Sequence, residues 1–219
     1  ELIISGGGRL TATDIEVPGD ISSAAFFMVA AAISKNSEIH LKQVGLNPTR
    51  TGIISLLRLM NAELQISNER VVGGESVGDI TIASSELSGI SVPVELVPLA
   101  IDEFPIFCIA AACAKGSTTI KGASELRVKE SDRIQAMADG LTALGITLKT
   151  FDDGLQIEGG NLLGGKVKSF SDHRIAMAFT IAGVRASGPI SIEDCENVAT
   201  SFPGFVGLAR SIGIDVRET

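Results

Sequence analysis

A three-fold α/β domain with helices inside and sheets outside is the fold this sequence predicts, and three observations lead to it. Three segments share one plan: an Asp ahead of an apolar helix, a short β-rich run, a loop, a second helix and a strand. The first helix of each segment is apolar nearly all round, as a helix at a domain centre must be, while the second is amphipathic. Short runs of alternating character could cover those helices as strands. The repeats fall at about 10–85, 86–160 and 161–219, and together they make a single α/β domain.

In the first repeat, Asp20 precedes the apolar run ISSAAFFMVAAAI, then SEIHLKQV alternates as a strand, and PTRTGIISLLRLMNAELQI gives an amphipathic helix with Arg58 outward and a strand. In the second, Asp102 precedes EFPIFCIAAACA, GSTTIKGA is the β-rich run, and RVKESDRIQAMADGLTALGITLKT carries the loop, a helix with Asp139 outward and a strand. In the third, Asp172 precedes HRIAMAFTIAGVRA, followed by GPISIED and by ATSFPGFVGLARSIGIDV, with Arg210 outward. The third repeat is shorter. It stops at IDVRET, where the others add a further strand, VGDITIAS or GLQIEGG, so either the last repeat is merely truncated or a strand from elsewhere in a longer chain completes it. Buried helices running in parallel would bring their N-termini to one face, where their dipoles attract anions.

Composition narrows the function. The net charge of −8 and the absence of Trp and Tyr argue against nucleic acid, whose backbone needs cations and whose bases need stacking platforms. No apolar run reaches the roughly 18 residues of a membrane span. Cys108, Cys113 and Cys195 are odd in number and lack metal-ligand spacing, which points to free thiols in a reducing cytoplasm. No metal site is indicated, and Gly6–Gly8 lies in no dinucleotide fingerprint or P-loop. The chain opens on Glu1 without a secretion-type segment and reads as a piece of something longer.

The chemistry concentrates ahead of the helices. Arg127–Arg133 places five charged residues in seven positions; if Ser131 or Asp132 opens the next helix, Lys129, Glu130 and Arg133 surround its N-terminus, a setting suited to phosphate or carboxylate. Arg133 could grip a planar anion in bidentate fashion, and Glu130 is either an acid/base group or one member of a solvated ion-pair network. Asp102 and Glu103 read as a helix cap with a first-turn acid, or as a carboxylate held to take a proton from a substrate hydroxyl. In Ser171–Arg174, His173 is a structural or catalytic histidine. Arg174 is a cation where the helix dipole disfavours one; an anionic ligand or Asp172 would explain it. Arg50, in Asn47–Gly52, occupies the first repeat's version of the Arg127–Arg133 loop and could be purely structural.

RVKESDR, SDHRIAM, IDEFP, PGDISSAAFF and NPTRTG, in their order and spacing, resemble the C-terminal half of the 5-enolpyruvylshikimate-3-phosphate synthase family over essentially all 219 residues. The resemblance implies transfer of the enolpyruvyl group of phosphoenolpyruvate to the 5-hydroxyl of shikimate 3-phosphate with release of phosphate, no cofactor, and glyphosate as an inhibitor class. It implies an inside-out α/β domain of three βαβαββ units, one of two that enclose a cleft in a full-length monomer. It assigns Asp102 as proton acceptor, Glu130 to proton transfer at the methylene carbon, Lys129 to shikimate 3-phosphate, and Arg133 and Arg174 to phosphoenolpyruvate, with His173 beside that pocket. Ala199–Pro203 has Thr200 where many members carry Lys, which resembles the second class of these enzymes. The family's PGSKS-, NAGT- and SSQ-type segments have no counterpart here, so the N-terminal partner domain is expected to be absent and this piece alone inactive. Two rivals are half of the transferase acting on UDP-N-acetylglucosamine, against which RVKESDR argues, and a non-catalytic anion-binding module, against which the intact Asp102, Glu130, Arg133 and Arg174 argue.

Overall fold

The computed structural model describes residues 2–9, 11, 12 and 14–218. Helix α1 (Ile21–Ile33) starts at Asp20, whose carboxylate accepts the backbone N–H groups of Ser22 at 3.1 Å and Ser23 at 3.0 Å. Its Ala, Phe, Ile and Val side chains leave no polar stripe, and every residue but Ser23 is buried. Strand β1 (Glu38–Gly45), helix α2 (Gly52–Leu59), and strands β2 (Glu63–Val72) and β3 (Glu75–Ala83) follow. The next group is α3 (Phe104–Cys113), β4 (Ser117–Ile120), α4 (Arg133–Ala143), β5 (Leu148–Phe151) and β6 (Gly154–Glu158). The last is β7 (Gly165–Lys168), α5 (His173–Ala182), β8 (Ile190–Glu193), α6 (Asn197–Ser201) and α7 (Phe205–Ser211).

Helices α1, α3 and α5 pack on one another at the centre. Phe104–Ala112 of α3 are all buried, as is the inner run of α5. Phe26 and Phe27 of α1 meet Phe205 of α7 with ring centroids 6.0 and 5.7 Å apart, which ties the last helix to the first. Arg58, Asp139 and Arg210 are exposed on the second helices, as the amphipathic pattern requires.

The sheets lie outside. Two are antiparallel, in the orders β1-β3-β2 and β4-β6-β5, and the third pairs β7 with β8 in parallel. Parallel bridges from Gly19 to Val44 and from Ser91 to Thr119 show that the chain ahead of α1 and α3 runs beside β1 and β4, just as β7 runs beside β8. In the first two groups the last strand lies in the middle, between the strand before the second helix and the strand after it.

That order corrects one expectation. The strand expected at Ile214–Val216 is not formed. In the first two sheets the equivalent strand joins only through β3 or β6, and the described residues hold no third counterpart. Ile214–Val216 folds back on α7 instead, with the Ile214 N–H donating to Ala209 at 3.0 Å and Arg210 Nε donating to the Val216 carbonyl at 2.7 Å.

Candidate active site

The N-terminal ends of α1, α3 and α5 meet, and the loops ahead of α2 and α4 close around them. Asp172 caps α5, accepting the Arg174 N–H at 2.9 Å, and Asp132 caps α4, accepting the Gln135 N–H at 3.0 Å. Asp102 behaves differently. The residue at the cap position of α3 is Glu103, and its side chain caps nothing, so the reading of Asp102 as a helix cap fails.

Asp102 instead faces four cations from three parts of the chain. Its Oδ1 lies 3.4 Å from Lys129 Nζ and 3.7 Å from Arg133 Nη1, and its Oδ2 lies 3.9 Å from both Arg174 Nη2 and Arg50 Nη2. Burial works against the Asp102 carboxylate, but the charges of Arg174, Lys129 and Arg133 outweigh it and hold its pKa below the ordinary value. The group is therefore ionised at neutral pH.

Each cation is held from behind. Arg133, 1% exposed, donates from Nε to Asp172 Oδ2 at 2.8 Å and from Nη2 to Glu130 Oε2 at 2.6 Å. Among the described residues its buried Nη1 has no hydrogen-bond partner, a rare condition that calls for an explanation at a site such as this. Lys129 pairs with Glu125 at 2.6 Å; that hydrogen bond, opposed by burial and assisted by Asp102, raises its pKa. Arg174 donates from Nη1 to the Asp102 carbonyl at 3.1 Å and approaches Glu103 Oε1 at 3.5 Å. Glu103 and Asp102, rather than Asp172, are thus the carboxylates facing the Arg174 guanidinium. Asp172 is committed to Arg133.

Glu130 is half-exposed on the outer side of Arg133. His173 is the first residue of α5 and half-buried; burial, then the charge of Arg174, lowers its pKa, which favours the neutral ring at pH 7. Asp102, Lys129, Arg133 and Arg174 are therefore in one cluster, with Glu130 attached through Arg133 and His173 adjacent in the chain to Arg174. Sequence reasoning gave too little weight to Arg50, although the correspondence of its loop with Arg127–Arg133 pointed to it, and it missed Ser22. The Ser22 hydroxyl accepts from Arg50 Nη2 at 2.8 Å and donates to the buried Glu103 at 2.5 Å. Burial first of all, against the Ser22 hydrogen bond and nearby arginines, raises the Glu103 pKa.

Fold and site together define an α/β protein that presents an ionised carboxylate among four cations at converging helix N-termini, a setting whose charges and free N–H groups favour anions. The family model described as EPSP synthase (3-phosphoshikimate 1-carboxyvinyltransferase) matches residues 1–208. The chain belongs to that family. The 3-phosphoshikimate 1-carboxyvinyltransferase of Methylococcus capsulatus is 61% identical over 213 residues, covering 97% of this chain and 49% of the relative. The enzyme of the same name from Nitrosococcus oceani is 60% identical over 218 residues, covering 100% of this chain and 49% of the relative. A solved EPSP synthase from Acinetobacter baumannii superposes with a TM-score of 0.94 at 54% identity, covering 97% of this chain and 50% of that one. The chain spans about half the length of the curated relatives it matches.

Proposed function

We propose that this chain, as one domain of three repeats, forms one wall of the active site of an enolpyruvyl transferase that joins phosphoenolpyruvate to the 5-hydroxyl of shikimate 3-phosphate and releases phosphate. The observation that carries this reading is the ionised Asp102 within reach of Lys129, Arg133, Arg174 and Arg50, with the buried Nη1 of Arg133 left without a hydrogen-bond acceptor among the described residues. Asp102 accepts the proton of the attacking hydroxyl as the new C–O bond forms, while Glu130 serves the proton transfer to the methylene carbon. In the second half of the reaction Glu130 takes a proton back from the resulting methyl group, the C–O bond to phosphate breaks, phosphate leaves, and the enol ether remains. Arg133 and Arg174 hold phosphoenolpyruvate, Lys129 holds the phosphate of the second substrate, and His173 lies beside that pocket. Cations fixed in advance suit a step in which anionic charge shifts between oxygens. A cytoplasmic location, a full-length monomer and inhibition by glyphosate complete the reading, on the strength of the family resemblance.

In the full-length enzyme, Asp102→Asn and Glu130→Gln should each lower turnover by roughly a hundredfold or more, the scale of a lost general acid or base. Near-normal turnover in either variant removes that residue from the assignment. The 219 residues alone should release no phosphate from the two substrates, and robust turnover by them would sink the half-site reading.

A further inference from the structure

Arg50 has no part in the reaction set out above, yet its placement matches that of Arg133. Arg133, ahead of α5 in the chain, reaches forward to Asp172, the acid before α5; Arg50 reaches forward in the same way to Asp102, the acid before α3. The difference lies in how the two are satisfied. Arg133 is buried and bonded to two carboxylates, whereas the Arg50 side chain is 48% exposed and stands 3.9 Å from Asp102, beyond hydrogen-bond range. Among the described residues its guanidinium makes a single hydrogen bond, to Ser22 Oγ at 2.8 Å, and most of its fork of N–H donors has no protein partner.

The fork is nevertheless held in place. The Arg50 N–H donates to the Asn47 carbonyl at 2.8 Å, and Asn47 Oδ1 accepts from Thr49 N at 3.0 Å and Thr49 Oγ1 at 2.7 Å, which fixes the loop as an Asx turn. Ser22, 2% exposed, can accept from Arg50 because its own proton goes to Glu103 Oε1, and Glu103 is 2% exposed. Arg174 approaches the same Glu103 oxygen at 3.5 Å. A chain from the exposed Arg50 through the buried Ser22 and Glu103 to Arg174 thus joins the N-terminal ends of all three central helices.

We propose that Arg50 is a further ligand-binding residue of this site, a third guanidinium that takes an anionic oxygen, phosphate or carboxylate, of a substrate seated over Asp102, with Ser22 and Glu103 as its positioning residues. This rests on the function proposed above. The test uses the full-length enzyme with Arg50→Gln and Arg50→Lys, each substrate being varied against a saturating level of the other, alongside the affinity of the same proteins for inorganic phosphate by calorimetry. Arg50→Gln should raise one KM and weaken phosphate binding by about tenfold, the loss expected for one charge-assisted contact, with kcat changed far less and Arg50→Lys intermediate. The substrate whose KM rises identifies the anion held. Unchanged KM values with unchanged phosphate affinity, or a fall in kcat alone, would overturn the proposal. Phosphate binding weakened by Arg50→Gln, together with an unaltered full-length enzyme that fails to turn over, would instead keep Arg50 as an anion ligand and remove the transferase reading.

Discussion

Replacing Asp172 by Asn should destabilise the chain far more than removing a surface charge. Asp172 is fully buried and accepts from Ser131 Oγ at 3.0 Å, Arg133 Nε at 2.8 Å, Arg133 Nη2 at 3.3 Å and the Arg174 N–H at 2.9 Å. Asn caps a helix about as well as Asp, so the Arg174 hydrogen bond survives and the substitution isolates the pair with Arg133. What remains is a buried guanidinium that has lost its closest buried counter-charge and meets an amide that can turn N–H donors toward it. Breaking a buried ion pair from one side costs about 3–5 kcal/mol, which in a domain of this size lowers Tm by roughly 6–20 °C. Arg133→Met with Asp172→Asn removes both charges and should cost less than the two single changes summed, by about 1–3 kcal/mol. The acid limb gives a second readout. Burial opposes the Asp172 carboxylate, but the Arg133 hydrogen bonds and charge, with Arg174 N and Ser131, outweigh it and lower its pKa. Its stabilisation is therefore complete above the unfolded-state value of about 3.9, is lost as pH falls through the lower folded value, and is absent from the Asn variant. Denaturant titrations of the wild type, both single variants and the double variant, repeated from pH 7 down to pH 3, measure all of this. A loss under about 1 kcal/mol for Asp172→Asn, or additivity of the single changes within about 0.5 kcal/mol, would refute the reasoning.

Gly140→Ala should destabilise by about 1–3 kcal/mol, although in an exposed helix the same change gains about 1 kcal/mol, because a Cβ at Gly140 would collide with Cζ at the tip of the buried Phe179 ring; a stabilised variant in thermal melts would contradict the packing of α4 on α5. Burial pushes the Cys108 thiol up to about 12 and the Cys113 thiol up to about 11, so a thiol reagent at pH 8 should label Cys195 at most until the protein is unfolded, and rapid native labelling of Cys108 would show that α3 is not buried as described.

Local patterns carried much of the fold. The apolar runs of α1, α3 and α5 and the alternation in β1 and β4 are properties of adjacent residues, and Asp20, Asp132 and Asp172 cap helices within three residues of themselves. Partners from distant repeats were not legible. That Asp172 belongs to Arg133, 39 residues away, leaving Arg174 to Glu103 and Asp102, follows only once the helix ends meet. Strand β7 gave no signal, since Gly165–Lys168 is short and alternates lysine with a single buried valine. Ile214–Val216 gave a false one, because a strand needs a neighbour as well as a pattern.

The candidate site exists where the three repeats stop being equivalent. Asp20 and Asp172 precede their helices in extended backbone, at φ −73°, ψ 122° and φ −94°, ψ 112°, which turns each carboxylate back onto the free N–H groups of the first turn. The approach to α3 is already coiled. It passes through 3-10 turns at Val94–Leu96 and Pro98–Ala100, and the residue at the cap position, Glu103, has helical angles of φ −94° and ψ −4°. A carboxylate entering in that conformation cannot fold back on the helix, and Pro105 in the first turn removes one of the N–H groups that a cap would serve. Asp102 is therefore left uncommitted, with its backbone carbonyl fixed by Arg174 and its side chain directed at the cations. An extended entry to α3 would turn Asp102 into a third cap and leave four cations around no base. The coiled entry, more than any single charged residue, is what makes this face a site.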